Sequence, residues 1–261
     1  MITVRYLGTC SGTEPMAGMH HCSLIIDVDG VLYWFDAGEG CVHRAYTDGV
    51  DIMNTRAVFI SHPHIDHISG LSHLLFCYNK LEARYGTKLI NDNILDLYFP
   101  DRNDLLSGIY IIACGSKEPS FKYSINAHTV TNGLLFDDDR IRVSAIHNRH
   151  LRENGSDGWH SFSYLIEACG KRIVFSGDVL SPDELDDIID NCDLLIMETG
   201  HHSVRDVCEY AISHKVGALR FNHHGREILG DRDAAQALIE NYEACSGISI
   251  MLCHDGMVET V

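Results

Sequence analysis

No apolar run in this sequence reaches the roughly 20 residues that a membrane-spanning helix requires. The opening MITVRYLGTC also lacks the charged start, long apolar stretch and cleavage site of a secretory leader. A cytoplasmic location with no membrane partner is the resulting expectation. Ten cysteines are present, but no C-x-x-C pair occurs, and they are scattered from Cys10 to Cys253. In a reducing compartment such residues stay as thiols and act as small core side chains, not as a disulfide framework. Positive charge is the scarcer sign: 20 Lys and Arg stand against 37 Asp and Glu, for a formal net charge of −17. That field repels polyanions. The basic footprint of a nucleic-acid binder is missing, since basic residues come singly or in pairs such as Lys171-Arg172, so a nucleic-acid partner is disfavoured. Low-complexity segments, charge runs and Pro/Ser-rich linkers are absent too, and residues 1–261 read as a single domain.

What is there is an ordinary globular balance, 45% hydrophobic and 22% charged, enough for a core that needs neither metal nor disulfide to fold. SLIIDVDGVLYWFDAG reads as two strands turning at Asp29-Gly30, and SFSYLIEACGKRIVFSGD as two strands turning at Cys169-Gly170. Each hairpin ends in an aspartate near a glycine, Asp36-Ala-Gly and Gly177-Asp178, which suggests an internal duplication. RAVFIS, DLLIME and ALRFNH are short apolar strands. DHISGLSHLLFCYNK carries Ile68, Leu71, Leu74 and Leu75 at helical spacing. SPDELDDIIDN opens a helix with Ser181 as N-cap and Pro182 in its first position, and DRDAAQALIENYEA is helical. The class is α/β (α+β), with mixed sheets and helices packed outside them.

SHPHIDHISG at 61–70 places His62, His64, Asp66 and His67 within six positions, directly after a buried strand. A lone histidine at a strand end is ordinarily a plain polar residue. A loop holding four such groups can splay them all into one pocket, and imidazole with carboxylate suits zinc, iron or manganese. His147, Asp178 and His223 also stand at strand ends, which converge at one edge of a sheet. These seven groups exceed what one ion needs and point to two divalent metal ions.

SHPHIDH resembles the H-x-H-x-D-H motif of the metallo-β-lactamase superfamily, and FDAGEG its upstream Asp-x-Gly element. YLGTCSGTEP and the D-x-G-E-G variant are similar to the ribonuclease Z branch. The resemblance implies a four-layer αββα sandwich with its site at one edge of the paired sheets. It implies that His62, His64 and His147 hold one metal, zinc before manganese or iron. Asp66, His67 and His223 would hold the second, Asp178 would bridge them, and Asp36 would support without ligating. A bridging water, turned to hydroxide, would attack phosphorus in line. FNHHG leaves His223 and His224 to choose between, and the family pattern selects His223. In METGHHS, His201 or His202 stands where ribonuclease Z carries a histidine proposed to protonate the leaving group, with Glu198 to orient it. Helix capping by His202 or Ser203 explains the same residues equally well.

Two departures from ribonuclease Z join the acidic charge. That branch holds tRNA with a long arm between its third-motif His and the bridging Asp, whereas His147 and Asp178 are separated by little more than a loop and a hairpin. The basic N-terminal loop is replaced by EPMAGMHHCS, without Lys or Arg. The expectation is a phosphodiesterase acting on a small or nucleotide phosphodiester, with a homodimer left open; the alternative is ribonuclease Z-type tRNA 3′ processing. Arg149, Arg152 and Trp159 are candidates for substrate contact, with a polar loop anchored by one Trp as the plainer explanation. His21 and Cys22 are weak candidates for an additional metal. Redox members of the superfamily usually carry an acidic residue where His64 stands, so hydrolysis is favoured. Thioester hydrolysis stays open, and β-lactam hydrolysis is disfavoured without export.

Overall fold

The hairpin expected at Asp29-Gly30 forms between β2 (Ser23–Val28) and β3 (Val31–Phe35), with both turn residues in the left-handed region at φ +52° and +85°. The hairpin at Cys169-Gly170 joins β9 (Phe162–Ala168) to β10 (Lys171–Phe175) with the same pair of positive angles, +48° and +76°. Such a turn matches the right-handed twist of its strands. These and the following features come from a computed structural model, which describes residues 1–12, 16–151 and 158–261.

The first sheet adds β1 (Ile2–Gly8), β4 (Thr55–Phe59), β5 (Ile94–Phe99), β6 (Ser124–Thr129) and β14 (Val258–Thr260), in the order β14-β1-β2-β3-β4-β5-β6. The second adds β7 (Gly133–Asp137), β8 (Ile141–His147), β11 (Leu194–Glu198), β12 (Ala218–Asn222) and β13 (Ser249–Leu252), in the order β13-β12-β11-β10-β9-β8-β7. Read from the β14 edge and from the β7 edge, both sheets pair antiparallel three times and then parallel three times. The repeat sensed in the two hairpins thus extends to whole sheets.

Alternation along the strands builds the layers. Leu24, Ile26 and Val28 of β2 join Ile173 and Phe175 of β10 in a core between the sheets. Ile25 faces the other way, toward helices α1 (Cys41–Thr47), α3 (Leu71–Tyr85) and α4 (Asn103–Cys114). Val174 faces α5 (Asp186–Ile189), α6 (Val204–Ser213), α7 (Arg226–Gly230) and α8 (Arg232–Ser246). Three hydrophobic cores therefore separate four layers, the αββα sandwich expected. Near the site end, Phe35 stacks on Phe59 at 5.0 Å and meets Phe175 edge-on at 6.1 Å. Such aromatic pairs contribute roughly 0.5–1.5 kcal/mol each beyond their area. Tyr164 donates its hydroxyl to the Ile60 carbonyl at 2.7 Å, and the Phe162 amide donates to Ser61 at 3.0 Å. The second sheet thus grips the first immediately before His62.

Two local expectations are corrected. The segment from Asp66 is not one helix: α2 (Ile65–Ile68) stops and α3 begins at Leu71. Gly70 breaks it because its Cα packs against the Gly38 carbonyl and the Cys41 sulfur, while its amide donates to the Ala37 carbonyl at 2.8 Å. Ser181 makes no side-chain cap, and the chain after it forms a 3-10 turn, Pro182–Leu185, before α5. The carboxylate of Glu184 accepts the Leu180 amide there instead. Helix α8 forms as read, capped by Asp231 on the Ala234 amide. All ten cysteines are free thiols, six of them buried. Among the described residues no helix is long and apolar enough to cross a membrane.

Candidate active site

Strand ends from both sheets meet at one edge. His62 Nε2 lies 3.0 Å from His64 Nδ1, and His150 Nε2 lies 3.1 Å from the same atom. Asp178 Oδ2 is 3.7 Å from His62 Nε2 and 3.6 Å from His150 Nε2. Burial holds His62 well below the ordinary imidazole range, lowers His64, and pushes His150 down to about 4. Neutral imidazoles aiming nitrogens at one another at these distances leave lone pairs to be shared by a cation.

A second group adjoins the first. Asp66 Oδ2 stands 3.0 Å from His223 Nε2 and 3.4 Å from His67 Nε2. The other oxygen of Asp178, Oδ1, faces His67 Nε2 at 3.4 Å and His223 Nδ1 at 3.5 Å. Burial works against charge on these groups, yet the opposed carboxylates and imidazoles hold Asp178 and Asp66 low and His67 and His223 high. Protons on those histidines occupy the place of metal charge and would leave as metal binds. His67 Nε2, Asp178 Oδ1 and His223 Nδ1 are buried without a hydrogen-bond partner. Native interiors rarely leave such atoms orphaned. The donor set, buried imidazole and carboxylate, therefore fits divalent metal binding.

Behind the ligand atoms, Asp36 is sealed from solvent. It accepts the Ser61 amide, the Ser61 hydroxyl and His67 Nδ1, each at 2.7 Å. The last contact puts the His67 proton on Nδ1 and frees Nε2. Glu198, at the end of β11, accepts His201 Nδ1 at 2.9 Å, and that bond raises His201 above its ordinary range. His201 Nδ1 is 3.8 Å from Asp178 Oδ2 and its ring lines a cavity of about 190 Å³ with His64, Asp66, His150 and Asp178. His202 turns away, its Nε2 on the Val179 carbonyl at 3.1 Å. Ser203 does cap α6 through the Asp206 amide, so the capping explanation holds for Ser203 and not for His202.

The structure brings together six of the seven expected ligands. His147 is the exception. It shares a 2.6 Å hydrogen bond with Asn132 and stacks on Trp159 at 3.9 Å, and His150 stands in its place. His147 continues the alternation of Val143 and Ala145, which face the inter-sheet core. Of the two neighbouring histidines, His223 joins the group, its backbone left-handed at φ +49°, while His224 points to the Cys253 carbonyl. Trp159, packed on His147, and Arg149, paired with Glu184 at 2.8 Å, do not line the cavity. Arg152 lies outside the described residues. Cys22 groups with Asp36 and His67 behind the site, but His21 does not join it.

Two glycines went unread. A Cβ on Gly12 would run into the Asp66 carboxyl, and one on Gly200 would come 2.6 Å from His223 Nδ1. Nothing local marks either one, because both are required by approaches from distant segments.

The family model described as "Anti-Pycsar protein Apyc1" matches residues 2–221. Among curated relatives, ribonuclease Z of Thermoplasma acidophilum is 27% identical over 93% of this chain and 94% of its own, and ribonuclease Z of Picrophilus torridus 24% identical over 85% of each. The metallo-β-lactamase fold protein YhfI from Bacillus subtilis superposes with a TM-score of 0.77 at 16% identity, over 99% of this chain and 98% of the other. The short form of human tRNase Z superposes with a TM-score of 0.74 at 18% identity, over 99% of both chains. The fold is that of the metallo-β-lactamase sandwich.

Proposed function

From a chain that belongs to the Anti-Pycsar protein Apyc1 family and is a metal-dependent hydrolase of the metallo-β-lactamase fold, we propose a dinuclear phosphodiesterase acting on small or nucleotide phosphodiesters. The observation that carries the reading is the division of Asp178: one oxygen faces His62 and His150, the other His67 and His223. His62, His64 and His150 would hold one ion, Asp66, His67 and His223 the other, and Asp178 would touch both. Bound there, divalent ions supply Lewis acidity and lower the pKa of water toward neutrality.

The protein's own residues do the rest. Asp36 fixes the tautomer of His67. Glu198 accepts the His201 Nδ1 proton and raises the ring above its ordinary range, so that His201 would stand beside the cavity as a donor able to pass its Nε2 proton to a departing oxygen. The cavity of about 190 Å³ is small enough to centre on a phosphodiester and its nearest substituents.

Ribonuclease Z-type tRNA 3′ processing is the second reading, favoured by the names of the relatives just given. Against it stand the net charge of −17 and the short path from His150 to Asp178, where the described chain is a brief loop end and the β9–β10 hairpin. The test sets bis(p-nitrophenyl) phosphate and a nucleotide diester against precursor tRNA, using protein reconstituted with zinc or manganese. The proposal expects turnover of the small diesters and poor tRNA cleavage. Each Lys or Arg contact to phosphate steepens the salt dependence of binding. Tight, steeply salt-dependent tRNA binding with efficient 3′ cleavage would replace it with the second reading.

A further inference from the structure

We infer that Glu184 is a positioning residue that clips together the two loops carrying His150 and Asp178, and thereby sets the geometry of the His62–His64–His150 group. Its carboxylate is only 6% exposed, at the tip of the 3-10 turn. Oε1 accepts the backbone amide of Arg149 at 2.9 Å and the Arg149 Nε at 2.8 Å. Oε2 accepts the backbone amide of Leu180 at 2.9 Å. One bond therefore lands next to His150 in sequence and another two residues from Asp178. The two loops leave different strands, β8 and β10, and β9 lies between those strands in the sheet.

His150 needs such a hold. It is three residues beyond the end of β8. A second restraint is Asn148, which is buried, donates to Ser163 Oγ at 3.1 Å and accepts the His150 amide at 3.2 Å. A two-oxygen carboxylate is suited to this task because each oxygen can serve one loop. The glutamine amide has one accepting oxygen, so it can satisfy Arg149 or Leu180 but not both. The Arg149 side chain matters less. It is 57% exposed, and its removal leaves the Arg149 amide on Glu184 intact.

This inference rests on the two-ion reading above. The test is cobalt titration of the full chain, following the visible d–d absorption under chelator competition, to obtain a dissociation constant for each equivalent. Melting temperatures of the metal-free proteins accompany it. Outer partners of metal ligands typically change affinity by about 10–100-fold. Glu184→Ala should weaken one equivalent by that factor and alter its spectrum, leaving the other equivalent within a few-fold. Glu184→Gln should fall between, which serves if the alanine variant folds poorly. Arg149→Ala should resemble the parent. Unchanged constants and spectra in both Glu184 variants, with only a lower melting temperature, would make Glu184 a plain structural residue and overturn the inference. Equal losses in Arg149→Ala and Glu184→Ala would also overturn it, by assigning the effect to the ion pair. A parent protein that binds fewer than two cobalt ions would sink the two-ion reading itself, and the clip with it.

Discussion

Asp36 follows β3 and Asp178 follows β10, at equivalent places in two sheets whose strands pair in the same order. Asp36 receives three hydrogen bonds and has no exposure. Asp178 is nearly as buried, yet its Oδ1 has no hydrogen-bond partner. The backbone repeat supplies one carboxylate per sheet, and its surroundings decide its use. Ser61 donates twice to the first and satisfies it. Gly177, at φ +55°, precedes the second at a place where a Cβ would come 2.8 Å from the Phe162 carbonyl, close packing that brings no donor. A carboxylate denied donors is kept for a cation.

The largest expected effect breaks that pair directly. Asp178→Ala removes the carboxylate shared by both groups, so both ions should be lost or weakened and turnover abolished. Asp36→Ala leaves every ligand atom in place and frees the His67 ring. It should cost about 10–100-fold in metal affinity or activity, as removal of such outer partners typically does. Elemental analysis after gel filtration, together with diester kinetics, ranks the two. If Asp36→Ala loses more metal than Asp178→Ala, the roles assigned to the two halves are reversed.

The halves also differ in how they deliver ligands. The first sheet places His62, His64, Asp66 and His67 on one loop and the short α2. The second spreads His150, Asp178 and His223 over three strand ends. The next prediction tests that dispersion. His150→Ala should bind one ion fewer, or bind it weakly, and lose most activity. His147→Ala should keep its metal and activity while losing roughly 0.5–1.5 kcal/mol of stability, the worth of an aromatic stack such as that on Trp159. Metal content and thermal melts of the two variants give the answer. Loss of metal in His147→Ala with retention in His150→Ala would restore the ligand set implied by family order.

That contrast explains what could be read from the sequence. Asp29-Gly30 and Cys169-Gly170 were legible because a two-residue turn is a local event with its own residue preferences. His62 to His67 were legible because the whole group is contiguous. Asp178 and His223 were found by strand ends and family order. His150 was not, because order cannot say where a chain turns after leaving a strand; alternation along β8, which puts His147 in line with Val143 and Ala145, was the available warning. Arg149 and Trp159 were misplaced for a related reason. Their partners, Glu184 and His147, are fixed by tertiary packing. The Gly70 break came from contact with Gly38 and Cys41 across the site, which helical periodicity cannot sense.

The most substrate-selective effect sharpens the comparison at β11, whose end sits in the second sheet where β4 sits in the first. The loop after β4 gives proposed ligands, whereas the loop after β11 gives His201 and His202 side by side, one toward Asp178 and one toward the Val179 carbonyl. An alkoxide leaving phosphorus is a strong base, and a placed acid typically speeds such a step about 10²–10⁴-fold. A p-nitrophenolate is stable without that proton. His201→Ala should therefore slow an alkyl or nucleoside diester by a factor in that range and leave p-nitrophenyl diesters much less affected, with metal content unchanged. His202→Ala removes a hydrogen bond to the Val179 carbonyl and a 3.4 Å contact with the Glu198 carboxylate, so it should cost at least roughly 0.5–1.5 kcal/mol of stability and affect both substrates alike. The measurement is kcat on the two substrate types for each variant, beside its melting temperature. Equal slowing of both substrates by His201→Ala would remove the acid role and leave Glu198 and His201 as support for Asp178 and His223.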